Sequence, residues 1–250
     1  MIRAGLIGYP VQHSHSPQLF EKIFQREGFQ HAVYQTFPVK DLSKLHDLIL
    51  DYPDLIGLNV TIPHKTDILS CLDEVSDEAL SVGAVNTVSI NRQKNTVYLK
   101  GYNTDIKGFE GMLSKYLKKT PQGALVLGSG GASKAVAFVL KNHNIPFQII
   151  SRNPAKGDLS YGKITQNHIS LYPLIINCTP AGMAPNTNEI PPIPVELLNA
   201  DNTIFDLVYN PRETKLMQEA QMRGAKVYNG LTMLEMQGLA SWKIWKNNLM

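Results

Sequence analysis

Ala124-Leu-Val-Leu-Gly128-Ser129-Gly130-Gly131-Ala132-Ser133-Lys-Ala135 is a short apolar run that breaks into glycines and resumes with helix formers. A strand feeding a helix through a phosphate-binding turn requires that order. Gly128 permits the tight turn, and Gly130 and Gly131 let the backbone approach a pyrophosphate with no Cβ in the way. The helix N-terminus adds N–H groups and partial positive charge. A glycine cluster by itself also describes an ordinary turn. Here the flanking strand and helix favour a dinucleotide site.

A second apolar strand, Phe147–Ile150, runs into Ser151-Arg152-Asn153, a little over twenty residues after Gly128. An NAD site would place Asp or Glu there for the ribose 2′-hydroxyl. This chain has Arg152, then Lys156, and no acid before Asp158. A guanidinium pairs with a 2′-phosphate through parallel charge-assisted bonds, whereas a carboxylate repels it. The other reading is a solvated loop arginine. Next to the glycine turn, NADP is the expected cofactor.

Asn59-Val-Thr61-Ile-Pro63-His-Lys65 closes another apolar run on a proline, with a lysine just beyond. Strand ends of α/β sheets face the ligand crevice, which places Thr61 and Lys65 to meet a substrate. A lone lysine after a strand is otherwise a solvated charge. Gly83-Ala-Val-Asn86-Thr87 and Gly101-Tyr-Asn103-Thr104-Asp105 add small polar clusters at strand ends or turns. Taken alone, such pairs are turn chemistry, and Asp105 equally suits the N-cap of the next helix.

The elements that must position these residues alternate from the start. Strands are expected at Ile2–Ile7, Ala32–Phe37 and Ile56–Thr61, with helices at Pro17–Glu27, capped by Ser16, and at Asp41–Leu50. Such βαβα order implies a largely parallel sheet covered by helices. Thr87–Ile90 and Thr96–Leu99, joined by Asn91–Asn95, read as a hairpin closing this half. The second half reads as helix Asp105–Leu117, the glycine turn, strands Leu174–Asn177, Thr203–Val208 and Ala225–Tyr228, and helix Glu213–Arg223. About twenty residues between Arg152 and Leu174 are rich in Gly, Asn and Ser, so a full crossover helix is not expected and thin cover of the sheet is. The apolar last helix, Leu231–Lys246, must be buried and is expected to return to the first half.

The 250 residues suffice for one large domain or two modest ones, and 43% hydrophobic content is ordinary for a soluble protein. No apolar run is long enough to span a bilayer, and the start reads as a strand, not a signal peptide. The net charge of +3, with both signs mixed along the chain, fits an anionic small molecule better than nucleic acid. Cys71 and Cys178 lack partner spacing and point to reduced thiols in the cytoplasm. No metal site is expected, and no membrane partner.

In this order along the chain, the motifs resemble the shikimate dehydrogenase family. They are Gly8-Tyr-Pro10-Val-Gln-His13-Ser14-His-Ser16-Pro17, Asn59 to Lys65, Gly83 to Thr87 and Gly101 to Asp105. They continue with Gly128 to Ala132, Asn177-Cys-Thr-Pro-Ala-Gly-Met183, Asp206-Leu-Val-Tyr-Asn-Pro211 and Gly230-Leu-Thr-Met-Leu234 with Gln237. The match runs from residue 5 to 245. It implies an α/β fold of two domains: a substrate domain, 1–102 completed by the C-terminal helix at 231–250, and a Rossmann-like NADP-binding domain, 103–230.

The resemblance implies reversible reduction of 3-dehydroshikimate to shikimate with NADPH, in the pathway to chorismate and aromatic amino acids. Carried over residue by residue, Ser14 and Ser16 bind the substrate carboxylate, with Tyr209 near it. Thr61, Asn86, Asp105 and Gln237 hold the ring hydroxyls, and Lys65 and Asp105 are the catalytic pair. Gly128, Ser129, Gly130, Gly131, Ala132 and Ser133 cradle the pyrophosphate. Ser151, Arg152, Asn153 and Lys156 take the adenosine phosphate, and Thr179, Leu207 and Gly230 line the nicotinamide side. A lysine ordinarily titrates at about 10.4, so Lys65 rests as an ammonium able to protonate an alkoxide. The sequence leaves both Lys65 and Asp105 as the residue that moves the proton, with orienting the hydroxyl as the other role for Asp105.

Two departures stand out. The family often has His-Asn where this chain has Phe20-Glu21, and Asn-Arg-Thr where it has Ser151-Arg152-Asn153. The rival readings are a quinate/shikimate dehydrogenase using NAD or NADP, and a catalytically silent NADP sensor. Arg152 opposes an NAD preference, and the retained Lys65 and Asp105 oppose a sensor. Either a monomer or a homodimer fits.

Overall fold

A computed structural model of the chain describes residues 1–12, 14–93 and 96–249. His13 of the first motif and residues 94 and 95 of the expected hairpin turn lie outside the described residues. The chain forms two compact units, one of Met1–Gly108 with Leu234–Met250 and one of Phe109–Met233.

In chain order the first unit holds strand β1 (Ile2–Gly8), helix α1 (Ser16–Arg26), β2 (Ala32–Pro38), α2 (Leu45–Asp51), β3 (Leu55–Val60), β4 (Glu74–Val75), α3 (Asp77–Val82), β5 (Thr87–Gln93) and β6 (Thr96–Tyr102). Helix α4 (Asp105–Tyr116) follows. Then come β7 (Ala124–Leu127), α5 (Gly131–Asn142), β8 (Phe147–Ile150), α6 (Gln166–Leu171), β9 (Leu174–Asn177), β10 (Thr203–Asp206), α7 (Lys215–Gln221), β11 (Lys226–Asn229) and α8 (Leu231–Asn247).

The first sheet has the order β2-β1-β3-β5-β6-β4. β1 pairs in parallel with β2 and β3, and β5 pairs antiparallel with both β3 and β6, so the expected hairpin is present, longer at both strands, and the sheet is mixed. The reason is the short link from β5 to β6, since a connection of a few residues can only return antiparallel. Alternate residues of β1 feed opposite faces. Ala4 and Leu6 pack with Phe20, Phe24, Tyr34, Trp242 and Trp245, and Ile7 packs with Phe37, Leu45, Ile49 and Leu58. Trp245 of α8 donates its indole N–H to Val88 O at 2.9 Å and lies where a Cβ on Gly57 would stand. Phe20, one of the family departures, is fully buried and stacks on Tyr34 at 4.1 Å, so it serves the core.

Helix α1 begins at Ser16 itself, preceded by His15, and no side chain caps it; the expected Ser16 cap is therefore displaced by one residue. The Asp41–Leu50 helix is shortened at its start. Asp41 caps a 3₁₀ turn, Leu42–Lys44, by accepting from Ser43 N at 2.9 Å, and the α-helix opens only at Leu45.

The second sheet is parallel throughout, in the order β11-β10-β9-β7-β8. Residues on both of its faces are buried, as such a sheet requires. Leu125, Leu127, Ile175 and Ile204 join one cluster, while Phe205 on the alternate face meets Phe109, Tyr116 and Tyr228 edge-on. The segment after Arg152 does cover its part of the sheet, contrary to expectation. It does so with two 3₁₀ turns and the six-residue α6, whose Ile169 packs with Tyr161 and Ile164 in the core. Strand order reverses at β7, which lies between β8 and β9. Ligands of open α/β sheets bind at the carboxyl ends of strands at such a switch point.

Candidate active site

Past β3 the chain turns at Thr61–His64, closed by His64 N donating to Thr61 O at 3.0 Å, and Thr61 N donates to Ile7 O at 2.9 Å. The buried His64 ring fastens the turn by donating to Val39 O at 2.8 Å. Lys65 follows, its own carbonyl accepting from Val85 N at 2.7 Å. The turn and the Gly83–Thr87 segment are thereby held together, and the lysine side chain is directed from a rigid base.

Asp105 is the first residue of α4. Its Oδ2 lies 2.6 Å from Lys65 Nζ and its Oδ1 accepts from Asn86 Nδ2 at 2.8 Å. The side chains of Lys65 and Asp105 are 17% and 7% exposed, so the pair is largely withdrawn from water yet the ammonium remains reachable. Asn86 Nδ2 also reaches Gln237 Oε1 at 3.4 Å. Lys65, Asp105, Asn86 and Gln237 thus meet in one place, a cation and a carboxylate beside two amides. Such a group can hold hydroxyls and deliver a proton.

Ser14 and Ser16 form a second cluster. Ser14 Oγ accepts from Ser16 N at 3.2 Å and stands 3.1 Å from Ser16 Oγ, two hydroxyls at the start of an eleven-residue helix. Thr61 shares the Lys65 turn. Tyr209 belongs to the other unit, in the loop after β10.

In that second unit Gly128 has a φ of +103°, a conformation that excludes most side chains, and a Cβ there would meet Thr179 Cγ2 at 3.0 Å. Gly130 precedes α5 in an extended conformation, with open space where a Cβ would stand and no side chain capping the helix. Backbone at the N-terminus of α5 is therefore open to an anion. Ser129 and Ser151 pair through their hydroxyls at 3.1 Å, and Ser133 Oγ donates to Gly130 O at 2.7 Å. Asn153 Oδ1 accepts from Ala155 N at 2.9 Å, starting the 3₁₀ turn that carries Lys156. Arg152 is exposed beside it. Burial raises the Tyr161 hydroxyl above its ordinary range, and the Arg152 charge opposes that rise. A Cβ on Gly230 would overlap Leu207 O, so those two backbones touch. The cradle fits a dinucleotide phosphate.

Sequence reasoning held Asp206 only as the first residue of a motif and gave it no role. It is fully buried at the end of β10 and accepts from Asn177 Nδ2 at 2.9 Å, Val208 N at 3.1 Å and Thr214 Oγ1 at 2.6 Å. Burial nevertheless pushes it up to about 6. Asn177 in turn accepts from Thr179 N and Oγ1 at 3.0 and 2.6 Å, so the carboxyl braces the loop that carries Thr179. Of the polar residues behind Asn86, the motifs held Asn59, Thr87 and Thr104 without a role, and Ser241 was left out, although its place four residues after Gln237 marks one helix face.

Two α/β units, one with a switch-point glycine cradle and the other with a buried lysine–carboxylate pair, define the class of two-domain α/β dehydrogenases. Residues 6–88 match the model of the shikimate dehydrogenase substrate binding domain. The NADP(+) shikimate dehydrogenase of Methanococcus maripaludis is 39% identical over 96% of this chain and 90% of its own length. That of Methanocaldococcus jannaschii is 37% identical over the same shares. The chain belongs to the shikimate dehydrogenase family. Among solved structures, that of Thermus thermophilus shikimate 5-dehydrogenase with NADP(H) and shikimate has a TM-score of 0.84 and 32% identity, covering 99% of this chain and 94% of that one. Quinate dehydrogenase from Corynebacterium glutamicum, in complex with NAD, has a TM-score of 0.84 at 28% identity, covering 98% and 94%.

Proposed function

We propose that this enzyme reversibly reduces 3-dehydroshikimate to shikimate with NADPH. The observation that carries the reading is the buried Lys65–Asp105 pair, bound to Asn86 and beside Gln237. The unit of Met1–Gly108 with Leu234–Met250 is the substrate domain and the unit of Phe109–Met233 the NADP domain.

Ser14 and Ser16 donate to the substrate carboxylate, helped by Tyr209, while Thr61, Asn86, Asp105 and Gln237 hold the ring hydroxyls. Gly128 to Ser133 hold the pyrophosphate, and Ser151, Arg152, Asn153 and Lys156 the adenosine phosphate. Thr179, Leu207 and Gly230 line the nicotinamide side. Bound NADPH supplies the hydride that reduces the ring ketone. The Lys65 ammonium donates its proton to the ketone oxygen as that oxygen gains negative charge, and the ketone becomes a secondary alcohol. Asp105 holds the ammonium in place, and Lys65, partly open to solvent, regains a proton from water.

The enzyme works in the cytoplasm as a monomer or homodimer, on a small anionic substrate, with neither nucleic acid nor membrane as partner. Among the described residues no helix is long and apolar enough to cross a membrane. Kinship with an NAD-bound quinate dehydrogenase sustains a second reading, a quinate/shikimate enzyme. Initial rates with shikimate and quinate, each with NADP and NAD, separate the two. Shikimate with NADP is expected to dominate, and comparable turnover of quinate with NAD would select the second reading.

A further inference from the structure

Behind the Lys65–Asp105 pair lies a connected set of buried polar side chains with no part in the chemistry described so far. The backbone N–H of Thr104 is 2.6 Å from Asn86 Oδ1 and can only donate, so that atom must be the amide oxygen. Thr104 Oγ1 and Thr87 Oγ1 each stand 3.1 Å from the same oxygen. With its oxygen so engaged, Asn86 can present only its NH2 to Asp105 and to Gln237. Gln237 Nε2 donates to Leu234 O at 3.2 Å, a carbonyl that can only accept, so Oε1 is the atom turned toward Asn86 Nδ2 and Thr104 Oγ1, each at 3.4 Å, and one Nε2 hydrogen is left as a donor.

Three hydroxyls, those of Thr87, Thr104 and Ser241, form a triangle with sides of 2.9, 3.0 and 3.1 Å. Asn59 Nδ2 donates into it, to Ser241 at 2.9 Å and Thr87 at 3.1 Å, and Ser241 donates to Gln237 O at 2.9 Å. Asn59 Nδ2 also faces Asn86 O at 3.3 Å, a carbonyl that can only accept, which sets the Asn59 amide with its Oδ1 toward the Tyr34 hydroxyl at 2.8 Å. Thr87, Thr104 and Ser241 are at most 3% exposed. Water cannot replace a lost partner there, and an amide that flipped would set donor against donor.

We propose that Thr104 and Ser241 are positioning residues whose hydroxyls hold the Asn86 amide and the Gln237 side chain in place, Thr104 by direct contact with Asn86 Oδ1 and Gln237 Oε1 and Ser241 through the hydroxyl triangle and the Gln237 carbonyl. The site then offers an acceptor at Asp105 and a donor at Gln237 to the ring hydroxyls of the substrate. This rests on the functional reading above. The set leads inward to Tyr34, packed on Phe20, so it offers no route for a proton to solvent.

The test uses the full-length protein and the variants Thr104→Val, Thr104→Ser, Ser241→Ala and Asn86→Ala, together with Thr104→Val in the Asn86→Ala background. Valine keeps the shape and the backbone N–H of Thr104 and removes only the hydroxyl. Shikimate oxidation by Thr104→Val and by Ser241→Ala is expected to lose about tenfold or more in kcat/KM, since misplaced site groups cost that much. The KM for NADP and the NADP affinity measured by fluorescence titration should stay within about twofold, and Thr104→Ser should restore most of the loss. In the Asn86→Ala background the Thr104→Val loss should shrink to about twofold or less, because its main influence passes through that amide and only the 3.4 Å contact with Gln237 remains. Wild-type rates in both Thr104→Val and Ser241→Ala would overturn the proposal, as would a Thr104→Val loss that is undiminished in the Asn86→Ala background. Wild-type protein inactive on shikimate with NADP would instead overturn the functional reading, and this proposal with it.

Discussion

Asp105 divides its two oxygens between Lys65 Nζ, at 2.6 Å, and Asn86 Nδ2, at 2.8 Å. A carboxylate shared in this way pins the lysine, and the ammonium keeps two further N–H bonds.

Lys65→Ala should therefore lower kcat by about a hundredfold or more, with the KM for shikimate changed only a few-fold, because proton transfer is lost while ground-state contacts persist. Steady-state kinetics of shikimate oxidation check this. A kcat within about threefold of wild type would exclude Lys65 as the proton donor.

Arg152 should set cofactor choice. Arg152→Ala removes a charge-assisted partner of the 2′-phosphate, and the KM for NADP should rise about tenfold or more while that for NAD barely moves. Equal effects on both cofactors would assign Arg152 a structural role instead.

Asp206 makes stability depend on pH in a particular direction. Its carboxyl titrates at about 6 in the fold against 3.8 ordinarily, with burial as the main cause. The folded chain therefore holds a proton that the unfolded chain has already lost. The stabilisation is full below about pH 4 and disappears as pH rises through about 6, a difference of about 3 kcal/mol. Asp206→Asn removes this term. Asparagine can keep its oxygen toward Asn177 and Val208 and turn its NH2 toward the Thr214 hydroxyl, which can also accept. Relative to wild type, the variant should gain thermal stability between pH 5 and pH 7.5. Melting curves at both pH values check this, and an unchanged difference would show that Asp206 is not the titrating group.

Gly57 tests the packing of the terminal helix. A Cβ there would overlap the Trp245 indole, whose N–H is engaged by Val88 O. Gly57→Ala should cost about 1–3 kcal/mol, read from denaturant unfolding, as overpacking does in a filled core. A loss below about 0.5 kcal/mol would mean that the indole moves aside freely.

Much of this protein was legible in the chain alone because its information is local. Glycines between an apolar run and a helix former specify the β7–α5 turn through backbone freedom, whatever surrounds them. Alternating apolar patterns specified the longer strands of both sheets and most helices between them, while the short β4, α3 and α6 carry too few residues to show a period. The resemblance of ordered motifs carried the family, Lys65 and Asp105 with it.

What the tertiary structure decided depends on partners far apart in sequence. Asp105 suited either an N-cap or a site residue until its oxygens were seen on Lys65 and Asn86, 40 and 19 residues away. Ser241 and Asn59, 182 residues apart, meet only because α8 packs beside β3, and no local pattern announces a buried hydroxyl triangle. Asp206 reads as an ordinary strand-end acid until folding removes its water and raises its proton affinity. Local conformation follows from each residue's own sterics and short-range bonds, whereas desolvation and hydrogen-bond closure arise only when distant segments exclude water together.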